Sequence, residues 1–214
     1  MLGIPEVVAA FWTLQMISIL ETIHSLNIIH GDFSINNLMI KGSNSSNIKD
    51  KFNLILTDFS AAIDISAFNN SEQTFVLPSS TKSSLTNNDE IESLECWEFR
   101  NGAPWTLEPD WYNAANVIHE LIFGTPLTIT ENYTGLAKSV NGVPQKPFIE
   151  INNILPVQWN GEIWGHAFTT LLNLSHTELE SDINPLAELK QEFQTFVDQH
   201  DHLLRDAFAT LDHE

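Results

Sequence analysis

The chain reads Ile28-Ile29-His30-Gly31-Asp32-Phe33-Ser34-Ile35-Asn36-Asn37 and, after an intervening segment, Leu54-Ile55-Leu56-Thr57-Asp58-Phe59. A carboxylate at Asp32 is followed by the side-chain amide of Asn37, and Asp58 adds a second carboxylate after a short apolar run. Phosphoryl transfer uses such a set, because one carboxylate orients the nucleophile while an Asn and an Asp hold Mg²⁺ on the nucleotide phosphates. The alternative is a polar turn between buried strands, but the order and context of the two motifs favour a phosphotransfer site.

The composition indicates one globular domain with a strongly acidic surface. The 214 residues are 43% apolar, which is enough to bury a single core. The 28 acidic and 9 basic residues give a net charge of −19, which argues against nucleic acid or an anionic membrane as a partner. A single cysteine, Cys96, excludes an internal disulfide and suits a reducing compartment. We expect no signal peptide and no membrane-spanning segment, since polar residues interrupt the apolar N-terminal region.

Apolar spacing in the first half predicts a buried helix followed by short strands. The helix is expected over 5–26, and strands are expected at 28–29, 38–40 and 53–57. The last two strands would form a hairpin with an irregular loop between them. Such a hairpin would place Asn37 and Asp58 at the same end, within reach of one metal ion. Residues 79–93 are poor in apolar side chains and are predicted to be a solvated loop.

The second half is predicted to consist of helices separated by an irregular region. Asp110 is expected to open a helix that ends at Gly124, and another helix is expected over 161–174. Residues 125–156 contain four prolines and are predicted to be irregular. Asn184-Pro185 predicts a helix start, and the apolar spacing continues as one long amphipathic helix to Leu211. The histidines lack zinc-ligand spacing, so we expect packed or surface roles for them.

Further motifs are Asp58-Phe59-Ser60-Ala61-Ala62-Ile63-Asp64, Cys96-Trp97-Glu98, Pro104-Trp105, Asp110-Trp111-Tyr112, Leu121-Ile122-Phe123-Gly124 and Trp159-Asn160-Gly161-Glu162-Ile163-Trp164. In this order they resemble the C-terminal lobe of a eukaryotic protein kinase and, within that superfamily, the Bub family of mitotic spindle-checkpoint kinases. The resemblance covers most of the chain. It implies a mainly α fold of the α+β class with a small β-hairpin and no N-terminal lobe. The lobe would span 1–214, with an activation-segment-like loop at about 58–98.

The resemblance also implies roles for individual residues. Asp32 would be the catalytic base, and Asn37 and Asp58 would be the ligands of Mg²⁺ bound to ATP. Protein substrates or checkpoint and kinetochore proteins would be the partners, in the nucleus at the kinetochore. Glu98 stands in the place of the Ala-Pro-Glu glutamate, and Asp110 would bond the backbone of the catalytic loop. The residues with implied structural roles are His30, Glu98 and Asp110.

Several departures from the kinase pattern bear on activity. The Gly-rich loop, the phosphate-pairing Lys and its Glu partner belong to the absent N-terminal lobe, so we expect this chain alone to bind ATP poorly. Ser34 stands where Ser/Thr kinases carry a Lys that neutralises the transferring phosphoryl group, and losing such a donor typically costs on the order of 100-fold in rate. Ser60 replaces the Gly of Asp-Phe-Gly, which reduces the backbone freedom of the metal loop.

Two further departures concern charged partners. No Arg occurs between Arg100 and Arg205, so we expect Glu98 to lack its usual buried partner, and the surroundings to be rearranged or wetter. Gly31 stands where most kinases carry Arg, so a phosphorylated loop would find no docking cation there. We therefore expect that phosphomimetic substitutions between Thr81 and Thr86 do not sharply raise any kinase activity.

Three functions remain open from the sequence. The first is an active protein serine/threonine kinase, favoured by Asp32, Asn37 and Asp58. The second is a degenerate, pseudokinase-like module that binds partners at the kinetochore, favoured by Ser34, Ser60 and the absent lobe. The third is a small-molecule phosphotransferase of the aminoglycoside type, which shares the His-Gly-Asp-x-x-x-x-Asn pattern. The long loop from 60 to 93, the Glu98 position and the Asp110 helix argue against the third.

Overall fold

The computed structural model describes residues 4–42, 44–68, 75, 91–92, 95–135, 139–140, 143–175 and 184–211. Within them the helices are α1 (Glu6–Ser25), α2 (Ile48–Lys51), α3 (Trp97–Asn101), α4 (Glu108–Phe123), α5 (Gly161–Asn173), α6 (Pro185–Gln199) and α7 (Asp201–Leu211). The strands are β1 (Ile28–Ile29), β2 (Leu38–Lys41), β3 (Asn53–Leu56), β4 (Ile63–Asp64), β5 (Ile91–Glu92), β6 (Thr128–Asn132), β7 (Ser139–Val140), β8 (Val143–Pro144) and β9 (Phe148–Ile151). The predicted fold class, mainly α with small β elements, is confirmed.

Helix α1 lies at the centre of the core, as its apolar sequence predicts. Val8, Met16 and Leu20 are fully buried, and the helix packs against α4, α6 and β3. It begins at Glu6 because Pro5 has an extended backbone and occupies the N-cap position. We expected no segment of membrane-spanning character, yet α1 has the required length and composition. However, 61% of the apolar 18-residue stretch of α1 is buried inside the protein. Packing in the core therefore accounts for the apolar character of this helix.

Strands β2 and β3 form the predicted antiparallel hairpin, with Leu38 opposite Leu56. Since Asn37 directly precedes β2 and Asp58 follows closely after β3, both residues lie at the same end of this hairpin. The connecting loop was expected to be irregular but contains the short helix α2. Asn47 caps that helix by accepting a hydrogen bond from the backbone of its first turn. Strand β1 pairs antiparallel with β4. It leads into the turn at residues 30–37, which we call the catalytic turn because the resemblance to kinases implies the catalytic base there.

The expectation that residues 125–156 are irregular is wrong. Strand β6 pairs with β9 on one side and with β5 on the other, so that Ile129 lies opposite both Ile151 and Ile91. These strands are short and carry Thr, Asn or Glu, so no long apolar alternation marks them. Burial of Ile129 and Ile149 against the core stabilises them instead. Strand β5 falls inside the loop predicted at 79–93, whose other residues, including 81–86, lie outside the described ranges.

The single long helix predicted after Asn184 is also wrong, because it divides into α6 and α7. His200 leaves the helical conformation at φ −110° and ψ 22°, and its ring contacts the Phe196 carbonyl. The break allows α7 to turn back so that Phe208 stacks on Phe52 at a centroid distance of 4.2 Å. The predicted Asn184 cap is confirmed. Helix α4 begins at Glu108, before Asp110, and ends as predicted at Gly124 with φ +71°.

Candidate active site

Asp32 and Asn37 lie in one turn at the carboxyl end of β1. A 3-10 turn over Ile35–Asn37 folds the amide back, so that its Nδ2 donates hydrogen bonds to the Asp32 carbonyl at 2.8 Å and to the Asp32 carboxylate at 3.0 Å. Asn37 is buried, whereas Asp32 is exposed. The Asn37 amide therefore holds the Asp32 carboxylate at the surface through its Nδ2, and these hydrogen bonds do not use its Oδ1.

The hairpin connects this turn to Asp58. The Thr57 backbone N–H and hydroxyl both donate to the Asn37 carbonyl, at 2.9 and 3.0 Å. Asp58, the next residue, has the left-handed values φ 59° and ψ 74° and begins a 3-10 turn over Phe59–Ala61. Its carboxylate accepts a hydrogen bond from the Ser60 N–H at 3.2 Å. The three predicted site residues are thus joined through adjacent hydrogen bonds.

His30 joins the two motifs from below the surface. Its ring is fully buried, Nδ1 accepts a hydrogen bond from the Asp32 N–H at 3.3 Å, and Nε2 contacts the Thr57 carbonyl at 3.1 Å. An acceptor role for Nδ1 and a carbonyl next to Nε2 assign the neutral tautomer that carries its proton on Nε2. The ring also meets Phe59 edge-on at 4.9 Å. His30 therefore fixes the positions of Asp32 and Thr57 relative to each other.

Asp110 anchors the catalytic turn from α4. Its buried carboxylate accepts hydrogen bonds from the backbone N–H groups of His30 at 2.7 Å and Gly31 at 2.9 Å. These are the backbone hydrogen bonds that the family resemblance implied. His24 of α1 adds a third hydrogen bond, from its Nε2 at 2.9 Å. From the sequence, His24 could be a metal ligand or, preferably, a packed histidine; its bond to Asp110 could not be predicted, because no local motif links α1 to α4.

Gly31 is required by the geometry of the turn. Its φ is +78°, and a Cβ built on it would lie 2.6 Å from the backbone oxygen of Ala61. L-residues other than glycine rarely adopt that φ, and the carbonyl cannot move without displacing the turn after Asp58. The sequence motif indicates only that an arginine of the kinase pattern is missing at this position. The structure shows that the catalytic turn and the metal loop pack too closely for any side chain there.

The donor set suits a hard divalent cation. Hydrogen bonds from the Ser60 side chain and then from its backbone lower the pKa of Asp58, so the carboxylate stays ionised at neutral pH. Asn37 Oδ1 and the Asp58 carboxylate are oxygen donors of the kind that Mg²⁺ prefers. The described residues include no cluster of three or more His, Cys, Asp or Glu side chains that could hold a metal by themselves. Asn37 and Asp58 therefore fit a Mg²⁺ whose remaining ligands are phosphates and water.

Glu98 lies in rearranged surroundings, as expected, because a lysine rather than an arginine pairs with it. Lys146, from the segment before β9, places its Nζ 2.8 Å from the buried Glu98 carboxylate. Lysine thus takes the place that an arginine holds in the kinase pattern. A second ion pair joins α3 to strand β6, because Arg100 contacts Glu131 at 2.7 Å. The sequence could not reveal the first pair, since Lys146 lies far along the chain in a region predicted to be irregular.

A cavity of about 250 Å³ opens beside Asp32. The catalytic turn, the start of α3 and the first turns of α4 form its walls. Among the described residues, its charged lining residues are Asp32 and Glu95, and none of those that line it is Lys or Arg. Ser34 lies on its wall at the position where Ser/Thr kinases carry a lysine, and no described lining residue replaces that cation. A groove of about 560 Å³ between α5 and α6 is larger but shares no residue with this site.

The chain is similar to several known checkpoint kinases. No protein-family model matches the chain. The chain is 29% identical over 207 residues to the spindle assembly checkpoint serine/threonine-protein kinase BUB1 of Saccharomyces cerevisiae, covering 91% of this chain and 18% of the relative. It is 26% identical over 202 residues to the mitotic checkpoint serine/threonine-protein kinase BUB1 of Arabidopsis thaliana, covering 90% of this chain and 34% of the relative.

The fold is similar to the crystal structure of the BubR1 kinase domain. The TM-score is 0.72 at 23% identity, and the match covers 97% of this chain and 55% of that one. The chain thus spans about a fifth of the length of the yeast relative, about a third of the Arabidopsis relative and about half of the solved domain.

Proposed function

We propose that the chain is a kinase-like domain similar to those of the Bub spindle-checkpoint serine/threonine kinases, and that Asp32, Asn37 and Asp58 form an ATP- and Mg²⁺-dependent site for phosphoryl transfer to protein hydroxyls. One observation carries this proposal. Asn37 donates to the Asp32 carboxylate through its amide and accepts from Thr57, next to Asp58, through its carbonyl. A single buried residue, itself one of the two proposed metal ligands, therefore links the proposed base to the strand end that carries the other ligand, Asp58.

In the proposed reaction, Asp32 accepts the proton of the attacking hydroxyl as its oxygen bonds to the terminal phosphorus. Asn37 Oδ1 and the Asp58 carboxylate would hold Mg²⁺, which supplies charge neutralisation on the nucleotide phosphates when bound. His30 and Asp110 keep the turn rigid, so that Asp32 needs little reorganisation during the reaction. The similarity to protein kinases favours a protein hydroxyl over an aminoglycoside as acceptor.

The wider biological assignment rests on the relatives. Their names place them in spindle-checkpoint signalling, and we extend to this chain a cell-cycle role that involves protein partners. We assign the chain to the kinetochore in the nucleus on the same basis. Residues 1–214 are proposed to act together as the C-terminal lobe of the kinase-like domain. Neither a nucleic acid nor a membrane is proposed as a partner, because the chain carries a net charge of −19.

A catalytically degenerate scaffold is the second candidate, and a specific observation favours it. Within the part of the chain that the structure describes, the cavity beside Asp32 is lined by two acids and by no Lys or Arg. Charge developing on a transferring phosphoryl group would meet no cation from those described walls. A domain of this kind would bind partners while transferring phosphate slowly or not at all.

The deciding experiment measures nucleotide binding and autophosphorylation in the same preparations. Because this chain alone is expected to bind ATP weakly, we expect Mg-ATP to raise the melting temperature of the wild-type chain only at high nucleotide concentration, and we expect Asp58→Ala to abolish the rise. The matched control is Asp64→Ala, because Asp64 also caps a 3-10 turn by accepting from a backbone N–H two residues on. Asp64→Ala should keep the Mg-ATP response, which separates loss of metal binding from loss of a cap.

Ser34→Lys distinguishes the two candidate functions. If the missing cation limits phosphoryl transfer, this substitution raises the autophosphorylation rate by on the order of 100-fold. A Mg-ATP response that depends on Asp58, together with such a rate increase, supports the kinase. No Mg-ATP response in the wild type, and no phosphorylation in Ser34→Lys, supports the scaffold.

A further inference from the structure

The groove of about 560 Å³ between α5 and α6 has an apolar base and polar walls. Residues 160–166 line one side and residues 191–199 line the other. Ile163 lies buried at the base, and the Phe196 ring on the facing helix is half-buried. We call this feature the helix groove. A groove between two helices that shows part of an aromatic ring can accept the apolar side chains of a third helix.

The helix groove carries two carboxylates, one from each helix. Glu162 of α5 is exposed, and Glu192 of α6 lies 2.8 Å from Nδ1 of His166. None of the described residues that line the groove is Lys or Arg. In the described part of the chain, other glutamates such as Glu98 and Glu131 do pair with a Lys or Arg. The two groove carboxylates are therefore open to cations from outside the chain.

Both walls of the helix groove are fixed to α1. Asn160 caps the first turn of α5, and the Glu6 carboxylate accepts hydrogen bonds from the Asn160 N–H at 2.6 Å and the Trp164 indole N–H at 2.9 Å. On the other side, Lys190 of α6 pairs with Glu21 of α1. A groove with fixed walls loses little conformational entropy when a partner binds.

Helix geometry sets the distance between the two carboxylates. Glu162 and His166 are four residues apart on α5, so they share one face with about 6 Å between them along the helix axis. Since Glu192 contacts His166, its carboxylate lies about one helical turn from Glu162 along the groove. On α6 the lining from Glu192 to Gln199 extends over about 10 Å, which is two helical turns. Two cations one turn apart on a partner helix match this spacing.

Charge identifies the occupant of the helix groove. A chain of net charge −19 repels a second copy of itself, a nucleic acid and an anionic membrane, but attracts a basic protein segment. We propose that the helix groove docks an amphipathic helix of a partner protein with Lys or Arg at positions i and i+4 and aliphatic residues at i+3 and i+7. The cations pair with Glu162 and Glu192, and the aliphatic side chains cover Phe196. This docking is independent of the phosphoryl-transfer site, which shares no residue with the groove.

Fluorescence anisotropy with the full 214-residue chain tests the proposal. The labelled peptide contains four repeats of Arg-Ala-Ala-Leu, which places Arg and Leu on one helical face. We expect saturable binding at one site. A peptide with Glu in place of each Arg should not bind, and one with Ala in place of each Leu should bind at least about tenfold more weakly. No saturable binding of the first peptide, or equal binding without the leucines, overturns the proposal.

Thr195→Lys separates docking in the helix groove from general attraction to an acidic chain. Thr195 is exposed and lines the groove, so a lysine there supplies a cation next to Glu192 and fills part of the space. We expect this variant to bind the peptide at least about tenfold more weakly than the wild type. The matched control is Gln194→Lys, which adds the same charge at an exposed neighbour outside the lining. Equal weakening in both variants contradicts docking in the groove.

Charge removal identifies the carboxylates that pair with the peptide. Glu162→Gln and Glu192→Gln keep the side-chain shape and a hydrogen-bond acceptor, so each should weaken binding by about fivefold through loss of charge alone. The control is Glu188→Gln, which removes an exposed charge of α6 outside the groove and should bind like the wild type. Undiminished binding when both groove glutamates are replaced would refute the pairing. Self-association of the chain that Thr195→Lys abolishes would assign the groove to a second copy and overturn the proposal.

Discussion

Gly31 combines two constraints that separate substitutions can measure independently. Its positive φ disfavours any side chain, and the Ala61 carbonyl occupies the space that a Cβ would need. Gly124 has a similar φ of +71°, but open space surrounds it. Comparing alanine substitutions at Gly31 and Gly124 therefore separates the cost of backbone strain from the cost of the steric contact within one protein.

We expect Gly31→Ala to lower the free energy of unfolding by about 2–4 kcal/mol, and Gly124→Ala by only about 1 kcal/mol. The difference is the cost of displacing the turn after Asp58. Urea unfolding followed by circular dichroism gives both values. Equal losses in the two variants would show that the Ala61 contact relaxes without cost.

The ion pair between Lys146 and the buried Glu98 carboxylate is expected to stabilise the fold. Its removal leaves the Glu98 carboxylate buried without a cation, and such a loss typically costs about 3 kcal/mol. Lys146 keeps 24% of its side-chain surface, so we expect Lys146→Met to cost about 2 kcal/mol in urea unfolding. Adding Glu98→Gln to Lys146→Met should recover at least half of the loss, because the unpaired charge is then gone. A double variant less stable than Lys146→Met would refute this account.

At the residue scale, the sequence could indicate types of chemistry but not distant partners. Asp32, Asn37 and Asp58 were identifiable because each lies within a short motif of fixed spacing. Lys146 and His24 were not, since each reaches its carboxylate across a large sequence separation that only the fold closes. The Gly31 conformation was equally hidden, because the constraining oxygen belongs to another motif.

Helix α7 depends on a few aromatic contacts for its position. Phe208 is fully buried, stacks on Phe52, and meets Phe11 edge-on at 5.3 Å. We expect Phe208→Ala to cost about 3–5 kcal/mol, the range for truncating a buried aromatic side chain. Leu211→Ala on the same helix should cost under about 1 kcal/mol, because Leu211 is exposed. Thermal and urea unfolding would show whether the two losses differ by this margin.

Whether a helix or strand could be predicted from the sequence depended on what stabilises it. Helices α1, α4 and α5 and the β2–β3 hairpin were predictable, because apolar periodicity and local caps mark them. The β5–β6–β9 sheet was not, since its strands are short and gain their hydrogen bonds from one another. The break at His200 was also missed, because the apolar spacing continues across it and no Gly or Pro interrupts the run.

The whole molecule carries far more negative charge than its cations can neutralise. The described Lys and Arg residues that pair with carboxylates are Lys49, Arg100, Lys146, Lys190 and Arg205. Even if all 9 bases were paired, 28 − 9 = 19 acids would remain without one. Surface ion pairs contribute little individually, so repulsion among the excess carboxylates should outweigh them. The folded chain is therefore expected to gain stability when charge interactions are screened.

Thermal unfolding between about 0.02 and 0.3 M NaCl tests this balance. At 0.1 M salt the screening length is about 10 Å, so repulsion between distant carboxylates is largely removed while close pairs persist. We expect the melting temperature to rise by about 3–6 °C, which corresponds to about 1–2 kcal/mol for a chain of this length. Measurement at several protein concentrations detects any contribution from self-association, and sucrose at equal osmolality controls for solute effects that do not involve charge.

Acid provides a second way to remove the same repulsion. As the pH falls towards about 4.5, part of the carboxylates protonate, since ordinary Asp and Glu side chains have pKa values of about 3.9 and 4.3. The gain from added salt should then shrink, because fewer charges remain to be screened. Hydrogen bonds from Ser60 lower the pKa of Asp58, and hydrogen bonds from Lys49 and Arg205 lower the pKa of Asp201. These two carboxylates should therefore be among the last to protonate. A melting temperature that falls with salt at neutral pH would mean that the ion pairs, rather than the excess acids, dominate the electrostatics of folding.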